Sequence, residues 1–259
     1  MKPDPQALLT SQLTTLQLAY LRENYETLAA QAAAKHMSHV DYLAELVEGE
    51  VHRREQRSLQ RRVRAARLPV LKSLDSFDWN WPKKINRQQV QNLFRLAFIA
   101  EHHNAVFVSN VGLGKTHLMS ALALTACQRG HSVRFTTAVE VINTLTTAQR
   151  VGSFKRELGK YVRPAILAID ELGYLPIDKA GGDALFQVIS QRYERGSTLV
   201  TTNRVFKRWA EIFNNDSTLT TALLDRLLHH CEVVTIEGKS YRMKDKIEEP
   251  EAPASAPEA

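Results

Sequence analysis

The stretch Ser109-Asn110-Val111-Gly112-Leu113-Gly114-Lys115-Thr116-His117 constrains the fold of this chain more than any other. It lies between a short apolar run, AVFVS, and a stretch with the composition of a helix interior, KTHLMSALALTACQRG. Strand, glycine-bearing loop and helix in that order make an anion cradle. Successive backbone N–H groups curl around phosphates, and the helix N-terminus adds its positive dipole. Gly112 and Gly114 permit left-handed or close-approach backbone. Lys115 reaches the terminal phosphates of ATP, and the Thr116 hydroxyl completes a Mg²⁺ shell. The motif G-x-x-x-x-G-K-[ST] is broken at its first position, where Ser109 stands for glycine. The serine weakens binding only if its backbone requires a positive φ.

From about residue 104 onward, short apolar runs alternate with helical segments. SVRFTT, AILAID, STLVTTN and EVVTI follow AVFVS as strands. AVEVINTLTTAQ, GGDALFQVISQRYERG, KRWAEIFN and TTALLDRLLHH read as helices between them. Such alternation predicts an α/β core with a mostly parallel sheet flanked by helices. AILAID, apolar throughout and bounded by charge, has the pattern of a strand buried on both faces.

Three strand or helix ends in this core carry candidate chemistry. Asp170 and Glu171 close the apolar run AILAID. There Asp170 would hold Mg²⁺ through water, and Glu171 would polarise the water that attacks the γ-phosphate. Asn203 ends the run STLVTTN, where an amide can orient that water or sense the γ-phosphate. Arg226, in LLDRLLHH, reads either as a salt-bridged structural residue or as a finger reaching a neighbouring subunit's ATP.

The N-terminal part has a different character. Residues 10–67 read as helical throughout, and Ser38 to Asp41 form a capping-box-like start for a long helix. Its later part, VHRREQRSLQRRVRAARL, bears Arg53, Arg54, Arg57, Arg61, Arg62, Arg64 and Arg67 against a single acid, Glu55. Across the chain, 34 Lys and Arg exceed 28 Asp and Glu, so the arginine-rich helix holds a large part of the excess. Phosphate contact along duplex DNA uses such a helix, with little base preference, although a solvated face has the same composition. The expected domains are a helical unit over 1–67, a linker and lead-in helix over 68–103, the ATPase core over 104–243 and a disordered tail over 244–259. Within 68–103, NRQQVQNLFRLAF reads as that helix. Cys127 and Cys231 lie far apart without metal-ligand spacing, and the pairs His102–His103 and His229–His230 read as structural or exposed. With no signal-peptide pattern and no apolar run of spanning length, the expected location is the cytoplasm, without membrane contact.

The segments NVGLGKTHL, VRFTTA, AILAIDELGYLP, FQVISQRYERGSTLVTTN, LLDRLLHH and GKSYR, in this order, resemble the IstB/DnaC-like group of AAA+ ATPases, which includes the transposition helpers of insertion sequences. The resemblance covers about residues 10–245. It implies a P-loop AAA+ core preceded by a small helical domain, with self-assembly, duplex DNA binding and stimulation of a cognate transposase. It also implies that residues 109–117 bind ATP, that Asp170 and Glu171 form the Walker B pair, that Asn203 is sensor 1 and that Arg226 is the arginine finger. Ser109 departs from the family's usual glycine. Little chain follows Arg226, so a sensor-2 arginine has only Arg242 as a candidate. A loader of a replicative helicase, a P-loop metabolic kinase and a DNA-binding protein with a decayed nucleotide site remain alternatives at this point.

Overall fold

The computed structural model describes residues 4–243. The tail expected over 244–259 lies outside them. Two compact units divide between Arg61 and Arg62, inside a helix rather than after Arg67.

The first unit contains α1 (Pro5–Thr15), α2 (Ala19–Ala34) and the greater part of α3 (His39–Ala66). The helical stretch expected from residue 10 up to the helix start at Ser38 has one further break, at the left-handed Gln17 (φ 56°), while His36 (φ 51°) makes the break before Ser38. Ser38 and Asp41 do form the capping arrangement: the Asp41 amide donates to Ser38 Oγ, and that hydroxyl donates to the Asp41 carboxylate.

The second unit is built on a six-stranded sheet. Its strands are β1 (Lys84–Ile85), β2 (Asn104–Ser109), β3 (Val133–Thr137), β4 (Ile166–Leu172), β5 (Ser197–Thr202) and β6 (Cys231–Glu237). They lie in the order β1-β6-β2-β5-β4-β3. All neighbours pair in parallel except β1, which is antiparallel to β6. The helices are α4 (Arg87–Leu93), α5 (Ala97–Ala100), α6 (Lys115–Gln128), α7 (Ala138–Arg150), α8 (Phe154–Val162), α9 (Lys179–Arg192) and α10 (Ser217–Leu228). Side-chain caps start four of them: Asn86 on α4, Thr137 on α7, Asp178 on α9 and Asp216 on α10.

Alternation along the strands separates two apolar layers. Val106, Leu167, Ile169 and Val200 join one core cluster with side chains of α7, α8, α9 and α10. Ala105, Phe107, Ala168 and Leu199 are equally buried but lie outside that cluster, on the face that α6 covers with Leu118, Met119 and Leu122. Ser109, Asp170 and Thr201 fall in the second phase. The fold therefore delivers them to the α6 face.

Two expected elements differ. The lead-in helix of 86–98 is two short helices, broken by the left-handed Leu96 (φ 65°), and the linker before it supplies edge strand β1. The segment expected as helix from Lys207 is a 3₁₀ turn, Phe206–Glu211. No helix among the described residues is long and apolar enough to cross a membrane.

At the opposite end of the strands from Ser109, the α9 residue Arg192 is 1% exposed. Its guanidinium donates to the carbonyls of Tyr161, Val162, Pro164, Ala165 and Ser197 and to Thr198 Oγ1, at 2.5–3.1 Å. Burial pushes its pKa down to about 10, which leaves it charged at neutral pH. Five fixed donors thus gather the approaches to β4 and β5 onto the end of α9. Arg192→Met strands several buried carbonyls and is expected to cost about 3 kcal/mol or more in urea unfolding. Arg192→Lys is expected to recover less than half of that loss, since an ammonium cannot span the same acceptors.

Candidate functional site

The phosphate loop links β2 to α6. Gly112 (φ 79°) and Gly114 (φ 85°) hold the left-handed backbone that the curl requires. A Cβ at Gly112 would collide with Ser240, and one at Gly114 with the Phe77 ring. Ser109 is different. It ends β2 with no positive φ, so the backbone there does not call for glycine.

Its side chain has a use. Lys115 Nζ donates to Ser109 O at 2.8 Å, Ser109 Oγ at 3.0 Å and Asn110 O at 2.9 Å. Burial pulls the Lys115 pKa down to about 8, against the opposing pull of Asp170. Val111 is exposed on the loop and Leu113 is buried. His117 lines the same cavity as Gly112, Gly114, Lys115 and Thr116. Its ring contacts Ser73 O and Ser76 Oγ and meets Phe77 edge-on.

The acids arrive from β4. Thr116 Oγ1 lies 3.1 and 3.0 Å from the two oxygens of Asp170. A hydroxyl and a carboxylate converging at the head of α6 form a hard oxygen donor pair, suited to Mg²⁺ beside a polyphosphate. Glu171 sits at a register shift between β4 and β5, with φ 60°. A strained non-glycine residue at a bulge is a common way to aim a functional side chain. Thr201, absent from the sequence reading, joins the two acids. Its hydroxyl accepts from the Glu171 amide at 2.9 Å and donates to Asp170 Oδ1.

Lys115, Thr116, Glu171 and Thr201 line one cavity of about 350 Å³. Its far wall is aromatic and comes from the expected linker and the chain after β6: Phe77, Trp81, Pro82 and Tyr241, with Arg242 beside them. Trp81 Nε1 donates to Lys239 O, and its ring meets Tyr241 edge-on at 5.4 Å, so the two segments brace each other. Three aromatics within FDWNW were the overlooked signal of a wall where a plain linker was expected.

The remaining candidates lie elsewhere. Asn203 lines an adjacent cleft with Ser109 and Asn110, and its buried Oδ1 has no hydrogen-bond partner among the described residues. Arg226 is outside the cavity. Its guanidinium donates to Ala222 O and lies 4.9 Å from the Phe186 ring centroid, beside a shallow depression on α10. Of the seven arginines, four have partners within their own unit. Arg53 pairs with Glu23, Arg54 with Glu50, and Arg67 with Glu140, while Arg62 donates to Cys127 O. Arg57, Arg61 and Arg64 are exposed and have no ion pair or hydrogen bond among the described residues.

A family model described as "IstB-like ATP binding protein" matches residues 11–249. A protein of Geobacillus stearothermophilus, named for ATP binding in insertion sequence IS5376, is 36% identical over 231 residues, covering 89% of this chain and 92% of its own. One from Pseudomonas aeruginosa, named likewise in insertion sequence IS21, is 37% identical over 234 residues, covering 90% and 88%. Among solved structures, the DnaC helicase loader superposes with a TM-score of 0.53 at 22% identity, over 64% of this chain and 96% of its own. A replication initiator DnaA bound to AMPPCP and single-stranded DNA gives 0.56 at 19%, over 71% and 56%. At such identities these two structures show the fold alone, a mostly parallel sheet flanked by helices.

Three outcomes test the geometry. Because Lys115 carries its charge only below about pH 8, triphosphate affinity measured by calorimetry should be level beneath that pH and fall above it. In the same titration Ser109→Gly should change affinity by no more than about threefold, the worth of one net hydrogen bond. Thr201→Val should reduce Mg²⁺-dependent turnover by about tenfold or more with ordinary triphosphate binding, and Thr201→Ser should restore it.

Proposed function

The chain belongs to the IstB-like ATP-binding protein family, and on that premise we propose that it is an ATP-hydrolysing helper of transposition. It assembles on duplex DNA and stimulates a partner transposase. The convergence of Lys115, Thr116 and Asp170 at one loop, with Glu171 aimed from a strained bulge, carries this reading.

The loop amides and Lys115 hold the ATP phosphates, and the aromatic wall at Phe77, Trp81 and Tyr241 takes the base. Thr116 and Asp170 hold Mg²⁺, which when bound neutralises charge on the phosphates. Glu171 draws the proton of the attacking water, and the unpartnered amide oxygen of Asn203 orients that water or reads the γ-phosphate. Arg226 completes the site of a neighbouring copy. Its place outside its own cavity supports that arrangement, as does its loose tether of one carbonyl and one ring face. Assembly multiplies weak phosphate contacts from Arg57, Arg61 and Arg64, which recur at helical spacing along α3. Val40, Leu43, Val47 and Val51 form an exposed apolar row on the same helix, a surface suited to a protein partner.

Helicase loading is the second reading, favoured by the likeness to DnaC in fold. A single-strand grip wants free aromatic faces. The three N-terminal tyrosines are engaged within their own unit: Tyr20 packs against Gly49, Tyr42 donates to Tyr25 O, and Tyr25 donates to Glu26. Duplex is the better fit.

The test is turnover in mixed assemblies. Glu171→Gln should bind ATP normally and hydrolyse it about a hundredfold more slowly or worse. Arg226→Ala and Lys115→Ala should each be inactive alone on duplex DNA, yet recover part of the turnover when mixed, since one intact composite site then forms. Turnover by Arg226→Ala alone, or none in the mixture, would overturn the shared site.

A further inference from the structure

The phosphate loop opens at the carboxyl ends of the parallel strands. At their amino ends lies a second cluster of chemistry-bearing side chains. β6 begins at Cys231, opposite Asn104 at the start of β2, and the two residues before Cys231 are His229 and His230. Glu194, in the turn after α9, joins them. One ligating atom from each of Glu194, His229 and His230 lies within 4.8 Å of the other two.

Sequence spacing hides this group, because adjacent residues of a helix do not face one another. Here α10 stops at Leu228, and the pair falls in the turn into β6. The two imidazoles come together with ring centroids 4.0 Å apart and planes tilted by 44°. Glu194 occupies left-handed backbone, φ 57°, at the tight turn between α9 and β5.

The rings are held from behind. Tyr193 Oη lies 2.8 Å from His229 Nδ1. His230 stacks on His103 at 5.0 Å with a 13° interplanar angle, and His103 Nδ1 is 3.2 Å from a Glu101 carboxylate oxygen. An Nδ1–H donated to the tyrosine oxygen leaves His229 Nε2 with its lone pair free, the tautomer a metal requires.

We propose that Glu194, His229 and His230 form a binding site for a borderline divalent transition ion of the Zn²⁺ type. Two imidazole nitrogens and one carboxylate oxygen suit Zn²⁺ or Co²⁺, whereas Mg²⁺ prefers an all-oxygen shell. Tetrahedral bonds of about 2.05 Å set ligand atoms about 3.4 Å apart, so at most about 1.4 Å of closure is needed. All three side chains are exposed and free to supply it by rotation. Water takes the outward position. The bound ion would tie the turn after α9 to the start of β6, one helical turn beyond Arg226. It is separate from the Thr116–Asp170 pair, which lies at the other end of the strands.

Cobalt substitution tests the site in the full-length, tag-free, chelator-stripped protein. Titration with Co²⁺ should produce visible ligand-field bands that saturate at one equivalent. Zn²⁺ should bleach them and Mg²⁺ should not. His229→Ala and His230→Ala should abolish the bands, and Glu194→Gln should weaken Co²⁺ binding by about tenfold or more. Asp170→Asn should leave them intact, with circular dichroism confirming that each variant is folded. No saturable band, a band that survives both histidine variants, or one lost in Asp170→Asn would overturn the proposal.

Discussion

One buried hydroxyl organises the catalytic end of the sheet. Thr201 belongs to β5, which the strand order inserts between β2, carrying the phosphate loop, and β4, carrying the acids. From there its oxygen serves Asp170 as donor and the Glu171 amide as acceptor. The first bond orients a carboxylate toward Thr116. The second secures the left-handed backbone of Glu171, a conformation costing on the order of 1 kcal/mol or more unless its surroundings enforce it. Without β5 in the middle, neither contact is possible, and the two acids would sit at an unbraced strand end.

The P-loop and the acidic strand end were legible because their chemistry is local. A loop that cradles phosphate must contain its glycines and lysine within a few residues, and a buried strand ending in two acids announces itself by contrast. Thr201 was not legible, since nothing in STLVTTN distinguishes the threonine that meets a neighbouring strand from those beside it. Alternation supplies the reason only once the register is known. The aromatic wall was missed for another cause. FDWNW lies between prolines and was read by its breakers, while its three aromatic rings were left unexplained. Ser109 posed a question that sequence could state and only a backbone angle could answer.

The arginine-rich helix illustrates how composition overstates a charged surface. Seven arginines against one acid over residues 51–68 look like a continuous phosphate track. Glu50, one turn earlier on the same helix, and Glu23 and Glu140 from other segments claim three of them, and Arg62 is spent on a carbonyl. Arg57, Arg61 and Arg64 remain exposed without an ion pair or hydrogen bond among the described residues, a far smaller cationic set than the composition suggests.

The two residues of β1 have a further consequence. Exposed parallel sheets invite other chains to pair with their outer strands. Here β6 is covered on its open side by Lys84–Ile85, too short to template anything, with Lys84 paired to Glu237 and the exposed Lys83 adding charge. The segment that walls the nucleotide cavity therefore also shields one margin of the sheet from intermolecular strand addition. That margin is thereby closed to uncontrolled strand pairing between copies.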